Sequence, residues 1–312
     1  MRTSEPKLTE EYSDVAKNFR LGELVWHYTG FRGLEGILNG NIWASSAFYL
    51  NDTQEFRYAV DIALEALKEE AELNPLEFVV DTTQLIQFFQ SVDAKSAFLT
   101  SFSRKRDDLS QWRAYGGRGP SFAVGFKPRA LAAAGARSKF DLVRVFYGHG
   151  QIKEAFSQEL ERIRESQRNA SEELQATEDR RRQLPYTTAD FEIISALMSL
   201  AAQAKHESFR EEDEWRLVRR IGRISAGPHL AVKFRESGSL VVPYVEVPLH
   251  TPLDKDPTFA KDSPQKIESP VVAVDIGPSP HPEALVHAVE EMTRRKGLNV
   301  PVRRSSTPFR NW

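Results

Sequence analysis

The chain has 312 residues and no cysteine. Disulfides, thiolate zinc sites, iron–sulfur clusters and a cysteine nucleophile are therefore excluded. An excess of either charge is also missing. Lys and Arg number 42 against 44 Asp and Glu, a formal net charge of −2, so no global electrostatic footprint for nucleic acid is present. A local basic cleft is compatible with that near-neutral total. No stretch approaches the roughly 18 consecutive apolar residues of a membrane span. Met1 to Arg20 carries no apolar core of a signal peptide, and the expected location is cytoplasmic. Internal repeats and low-complexity linkers are absent.

Several catalytic signatures are missing too. The seven histidines show no metal-ligand spacing, and Gly116-Gly-Arg-Gly119 lacks the lysine and the strand-to-helix setting of a phosphate loop. There is no G-x-S-x-G elbow and no strand-borne Asp…Glu-x-Lys set of a metal-dependent nuclease. What remains is a globular composition, 40% hydrophobic with a mean hydropathy of −0.46, long enough to bury a substantial core.

Hydrophobic periodicity predicts an α+β order. Strands are expected at 23–29, 42–44, 97–103, 121–126, 140–147, 214–220, 232–234, 240–247, 271–276 and 299–303. Helices are expected at 31–39, 55–73, 81–93, 109–115, 191–204 and 282–296. Asp52 followed by Glu55 has capping-box spacing for the helix at 55–73. One domain, 23–312, follows a polar lead-in at 1–22. It carries a polar helical insertion at about 151–184, read either as a solvated hairpin or as a lid or partner-binding arm.

Three strand-borne clusters hold polar groups suited to chemistry. The first is Trp26-His27-Tyr28-Thr29, with His27 and Thr29 on one strand face and Trp26 and Tyr28 on the other. The second is Thr100-Ser101-Phe102-Ser103, where two hydroxyls flank an aromatic. The third is Glu211-Glu212-Asp213-Glu214-Trp215-Arg216. Glu212, Glu214 and Arg216 share a strand face there, as an ion pair or as a functional site.

In this order the clusters resemble a bacterial domain-of-unknown-function family, number 2971. The likeness is carried by Trp26-His27-Tyr28-Thr29, Leu50-Asn51-Asp52, Ser101-Phe102-Ser103, Trp112, Gly125-Phe126, Glu212-x-Glu214-Trp215-Arg216, Ile276-Gly277-Pro278 and Ser305 to Arg310. It runs over roughly nine-tenths of the chain, weakest near 160–184. His27-Tyr28-Thr29, with the helix after it and Ile37 to Trp43, is also similar to the opening of DarT-type DNA ADP-ribosyltransferases. His27, Ser101-Phe-Ser103 and Glu212-x-Glu214 fall in the order of that histidine-class motif set.

This second resemblance implies a split two-sheet ADP-ribosyltransferase-like core with peripheral helices and with NAD in the cleft. It implies an NAD-consuming enzyme, a toxin or an anti-phage effector, that cleaves the nicotinamide–ribose bond. Glu214 would face the positive charge that builds on the ribose, Glu212 would orient the acceptor, and His27, supported by Thr29, would hold the adenosine ribose. Ser101 with Ser103 would hold the nicotinamide side, Tyr28 or Phe102 would stack on the ring, and Arg104 or Arg113 would meet the pyrophosphate. No metal is implied. The acceptor is open: protein, nucleic acid, a small molecule or water. The alternative is a non-enzymatic nucleotide- or protein-sensing module that retains the cleft. Asn51, Asp52, Trp112 and Arg310 carry no role in either reading, and the oligomeric state is not legible.

Overall fold

A computed structural model describes residues 18–49, 53–73, 97–115, 119–174, 197–219, 231–249 and 269–308. The first strand, β1 (Val25–Gly30), leads into α1 (Phe31–Leu38) and β2 (Asn41–Ser46). A long helix, α2 (Thr53–Leu73), precedes β3 (Phe98–Ser103), α3 (Leu109–Tyr115), β4 (Ser121–Phe126), α4 (Pro128–Arg137) and β5 (Phe140–Arg144). Next come β6 (Phe146–Tyr147), α5 (Gly148–Leu174), β7 (Ala204–Lys205) and β8 (Glu214–Arg219). The chain closes with β9 (Lys233–Ser237), β10 (Leu240–Pro248), β11 (Val271–Ile276), α6 (Pro282–Arg295) and β12 (Val302–Arg304).

Ten strands form one mixed sheet, in the order β12-β11-β4-β1-β3-β2-β10-β9, with β8 on β3 and β5 on β8. All of its pairings are antiparallel except β11 with β12. The protein is thus an α+β fold built on a large mixed sheet with peripheral helices.

The sheet divides at β3. One edge of β3 pairs with β8 from Leu99 to Ser103. The other edge is shared: β2 takes Phe98 and Leu99, and β1 meets only Ser103, through Trp26. Between these contacts β1 peels away, and α1 begins where it leaves. Four strands, β12-β11-β4-β1, therefore join the other six through a single residue pair among the described residues.

The main core lies between one sheet face and helices α1, α4 and α6, and it includes Val25, Leu34, Phe102, Phe126, Phe140, Trp215 and Leu217. Burying each such side chain is worth roughly 1.5–3 kcal/mol. On the other face of β1, Trp26 and Tyr28 pack with Trp112 of α3, as strand alternation requires. A second core joins α2 to α5: Ala59, Ile62, Ala63, Ala66 and Leu67 meet Ile152, Phe156, Leu160 and Ile163. The first part of the segment expected as a polar helical insertion thus carries an apolar stripe, from Ile152 to Ile163, that forms the seam of a two-helix layer. Among the described residues no helix is long and apolar enough to cross a membrane.

Three expectations are corrected. The strand anticipated over 140–147 is two strands, because the Val145 amide turns to the Glu214 carbonyl and Phe146-Tyr147 pairs with β7 instead. The last strand begins at Val302 rather than Asn299, since Pro301 has no amide to donate. Helix α4 was not anticipated: Pro128 at its first turn and an alanine-rich run favour it strongly but leave little periodic signal. The helix expected at 81–93, the Asp52 cap, Asn51 and Arg310 lie outside the described residues.

Candidate functional site

Glu214 opens β8, after a short 3-10 turn over Glu207–Glu212 and a left-handed residue, Asp213, at φ 42°. Strand alternation puts Arg216 on the same face, as the sequence indicated. Arg216 Nε donates to Glu214 Oε1 at 2.7 Å, and Lys205 Nζ, from β7, donates to Oε2 at 2.8 Å. The same Lys205 donates to Glu212 at 2.8 Å and lies 4.9 Å from the Phe209 ring centroid. Glu214, Arg216 and Lys205 are all buried. Burial alone would raise the Glu214 pKa, but the adjacent charges of Arg216 and Lys205 hold it down at about 2. Both carboxylate oxygens are therefore committed to fixed cations, and two negative charges balance two positive ones.

The first two clusters meet where the sheet divides. His27 Nδ1 lies 2.9 Å from the Ser101 carbonyl. A carbonyl only accepts, so this nitrogen carries the proton. Burial, with the nearby Arg235 charge, pushes the imidazole pKa below its usual value against the raising effect of that hydrogen bond. The ring is thus neutral near pH 7, and it bridges the gap that β1 leaves along β3.

Phe102 is buried, with its ring 5.7 Å from His27 and 5.5 Å from Phe126. Tyr28 is buried edge-on against Trp112, and its hydroxyl donates to the Lys105 carbonyl at 2.8 Å. Both rings expected to stack on a ligand are committed to the core. Ser103 is buried as well, its hydroxyl donating to the Glu212 carbonyl and accepting from the Lys105 amide. Thr29 and Ser101 are half-buried at the gap, and Thr29 packs on Gly33 of α1. Arg113 lies on the exposed side of α3, and Arg104 pairs with Glu23 at 3.2 Å. His27, Thr29 and Ser101 are thus brought together, while Glu212, Glu214 and Ser103 form a separate buried network.

One residue at the gap escaped sequence reasoning. Arg235 of β9 reaches across β10 to β2, where its Nη2 donates to Ser45 Oγ at 3.0 Å. Its guanidinium lies 5.9 Å from the Trp43 ring centroid, and Tyr244 packs on that ring at 5.0 Å. Gly36 of α1 leaves room for the Trp43 indole. Arg235 is half-buried, its Nε is buried without a hydrogen-bond partner, and among the described residues it has no carboxylate partner. Burial lowers its pKa, opposed only by Tyr244. The strand expected at 232–234 stops short of Arg235, and the lack of a tertiary partner leaves no local signal.

His27, Thr29 and Ser101 thus meet where the sheet divides, and Arg235 stands near enough for its charge to act on His27, while among the described residues that guanidinium has no carboxylate partner. Among the described residues no group of three or more His, Asp or Glu side chains is placed to hold a metal ion.

Residues 111–217 match the family described as Protein of unknown function (DUF2971). This is a narrower region than the end-to-end likeness expected from the motifs, and it spans α3 to β8. No curated protein and no solved structure matches the chain. The expectation of a transferase, a toxin or an antiviral effector acting on NAD is overturned. The matched family carries no assigned activity, the Tyr28 and Phe102 rings are buried in the core rather than open to a ligand, and Glu214 is neutralised by Arg216 and Lys205. The comparisons thus place one region of the chain, residues 111–217, within the likeness of a family of unknown function.

Proposed function

We propose that the protein is a non-enzymatic recognition module that takes a small anionic ligand into a crevice at the gap where its sheet divides. The single observation behind this reading is Arg235. Removing a guanidinium partly from water costs free energy unless an anion compensates it, and no carboxylate of the described residues does so. Its position is fixed in advance by Ser45 and Trp43. A carboxylate or phosphate arriving there gains a charge-assisted hydrogen bond at little cost in side-chain ordering. Trp43 already carries Arg235 and Tyr244, which favours a ligand recognised by its charge over one stacked by a base.

The test is site-specific. Inorganic phosphate or citrate is added to the full chain, and the His27 ring signals are followed by NMR. Saturable shifts are expected in the wild type and at least a tenfold weaker response in Arg235→Gln, with Arg235→Lys in between. Unmoved His27 signals with both anions, or identical titrations in Arg235→Gln, remove the reading.

A further inference from the structure

The opposite face of β1 leads to a second site. Trp26 points away from the crevice and floors an open cleft of about 340 Å³, bordered by Gly22 and Leu24. Arg104, Arg106 and Arg303 line it, and the one carboxylate among its lining residues is Glu23.

Two of these arginines are held rigidly. Arg104 donates through Nη2 to both Glu23 oxygens, at 3.2 and 3.3 Å, with Asp213 3.9 Å from its Nε. Its guanidinium lies 5.4 Å from the Phe19 ring centroid. Arg106 donates through Nε and Nη2 to Asp275, at 2.6 and 3.2 Å, and lies 5.3 Å from the Trp26 ring centroid. Asp275 is buried beneath it and does not line the cleft. Each guanidinium is thus fixed by a carboxylate on one side and a ring on its face, and its Nη1 group has no hydrogen-bond partner among the described residues. The Arg303 side chain, exposed on β12, makes no hydrogen bond or close ion pair among the described residues, though its charge acts on Asp275. It stands next to Asp275 in the register of β11 and β12.

We infer that this cleft is an anion site for a small multivalent oxyanion of the phosphate-ester or pyrophosphate type. A single carboxylate is satisfied by one guanidinium fork, whereas three guanidiniums around one cleft match an anion with several charged oxygens. Two of the three are already immobilised, so binding orders chiefly Arg303. The volume is at the small end of ligand pockets. The inference does not depend on the crevice at Arg235.

The test is calorimetric titration of the full chain with inorganic pyrophosphate at low salt, in an Arg235→Gln background that silences the crevice. One saturable site is expected. Arg303→Ala should weaken it at least tenfold, and Arg303→Lys by less. Arg129→Ala, which removes an exposed arginine of α4, should leave it unchanged and so controls for net charge. Circular dichroism checks the fold, which an exposed β12 side chain does not support. Absence of pyrophosphate binding, an affinity unaffected by Arg303→Ala, or an equal loss in Arg129→Ala each overturns the inference.

Discussion

Glu214 and Arg235 are charged strand residues with opposite surroundings. Glu214 has two cations within hydrogen-bond reach, and Arg235 has a hydroxyl and a ring. Removing the Glu214 charge leaves Arg216 and Lys205 buried and under-compensated, so Glu214→Gln should destabilise the fold by about 3–5 kcal/mol, measured by urea unfolding. The same pair sets an acid limit. The Glu214 pKa falls from 4.5 to about 2 on folding, so its contribution is complete above pH 4.5 and is lost as pH falls toward 2. Stability curves of wild type and Glu214→Gln should converge across that window. The Glu214-x-Arg216 pairing was legible, because strand period alone puts the two side chains together. Lys205 was not, since it arrives from β7 in a different sheet. Arg235 was invisible for the opposite reason: what distinguishes it is the lack of a carboxylate partner among the described residues.

At the scale of elements, close approach decides more than pattern does. Gly277 follows β11, and its amide donates to the Ser121 carbonyl at 2.8 Å. An added Cβ would run into Ser121 Oγ and come within 2.9 Å of the Trp112 ring. Gly277→Ala should therefore cost about 1–3 kcal/mol, read from thermal unfolding. The loop between β3 and α3 shows a second such device. Asp107, at φ 55°, accepts from Trp112 Nε1 at 2.9 Å and from the Ser306 amide and hydroxyl at 2.8 Å, with Ser305 Oγ on the same carboxylate. Asp107→Ala should free residues 305–308 while leaving the sheet intact, seen as faster amide exchange confined to that segment and to α3. Most strands and helices were legible because one face of each is buried. Helix α4 was not, because alanine packs without advertising a face, and the 140–147 strand was mis-joined because only the pairing partner reveals the break at Val145.

At the scale of the molecule, the expected α+β class stands, and the division of the sheet at β3 organises both candidate sites. His27 and Trp26 are neighbours in sequence, and one turns to the crevice while the other turns to the cleft. No local pattern announces that division, because β1 and β2 compete for one edge of β3 and the loser is set by register. The pairings that close the sheet are also remote: Ala44 with Val245, and Val124 with Val274. Synthesis therefore leaves the outer edge of β2 bare until β10 has been made. At roughly 5–20 residues per second that wait is about 10–40 s. For that interval the nascent chain presents an apolar strand edge to the crowded cell, and its yield depends as much on chaperone access as on the stability it finally reaches.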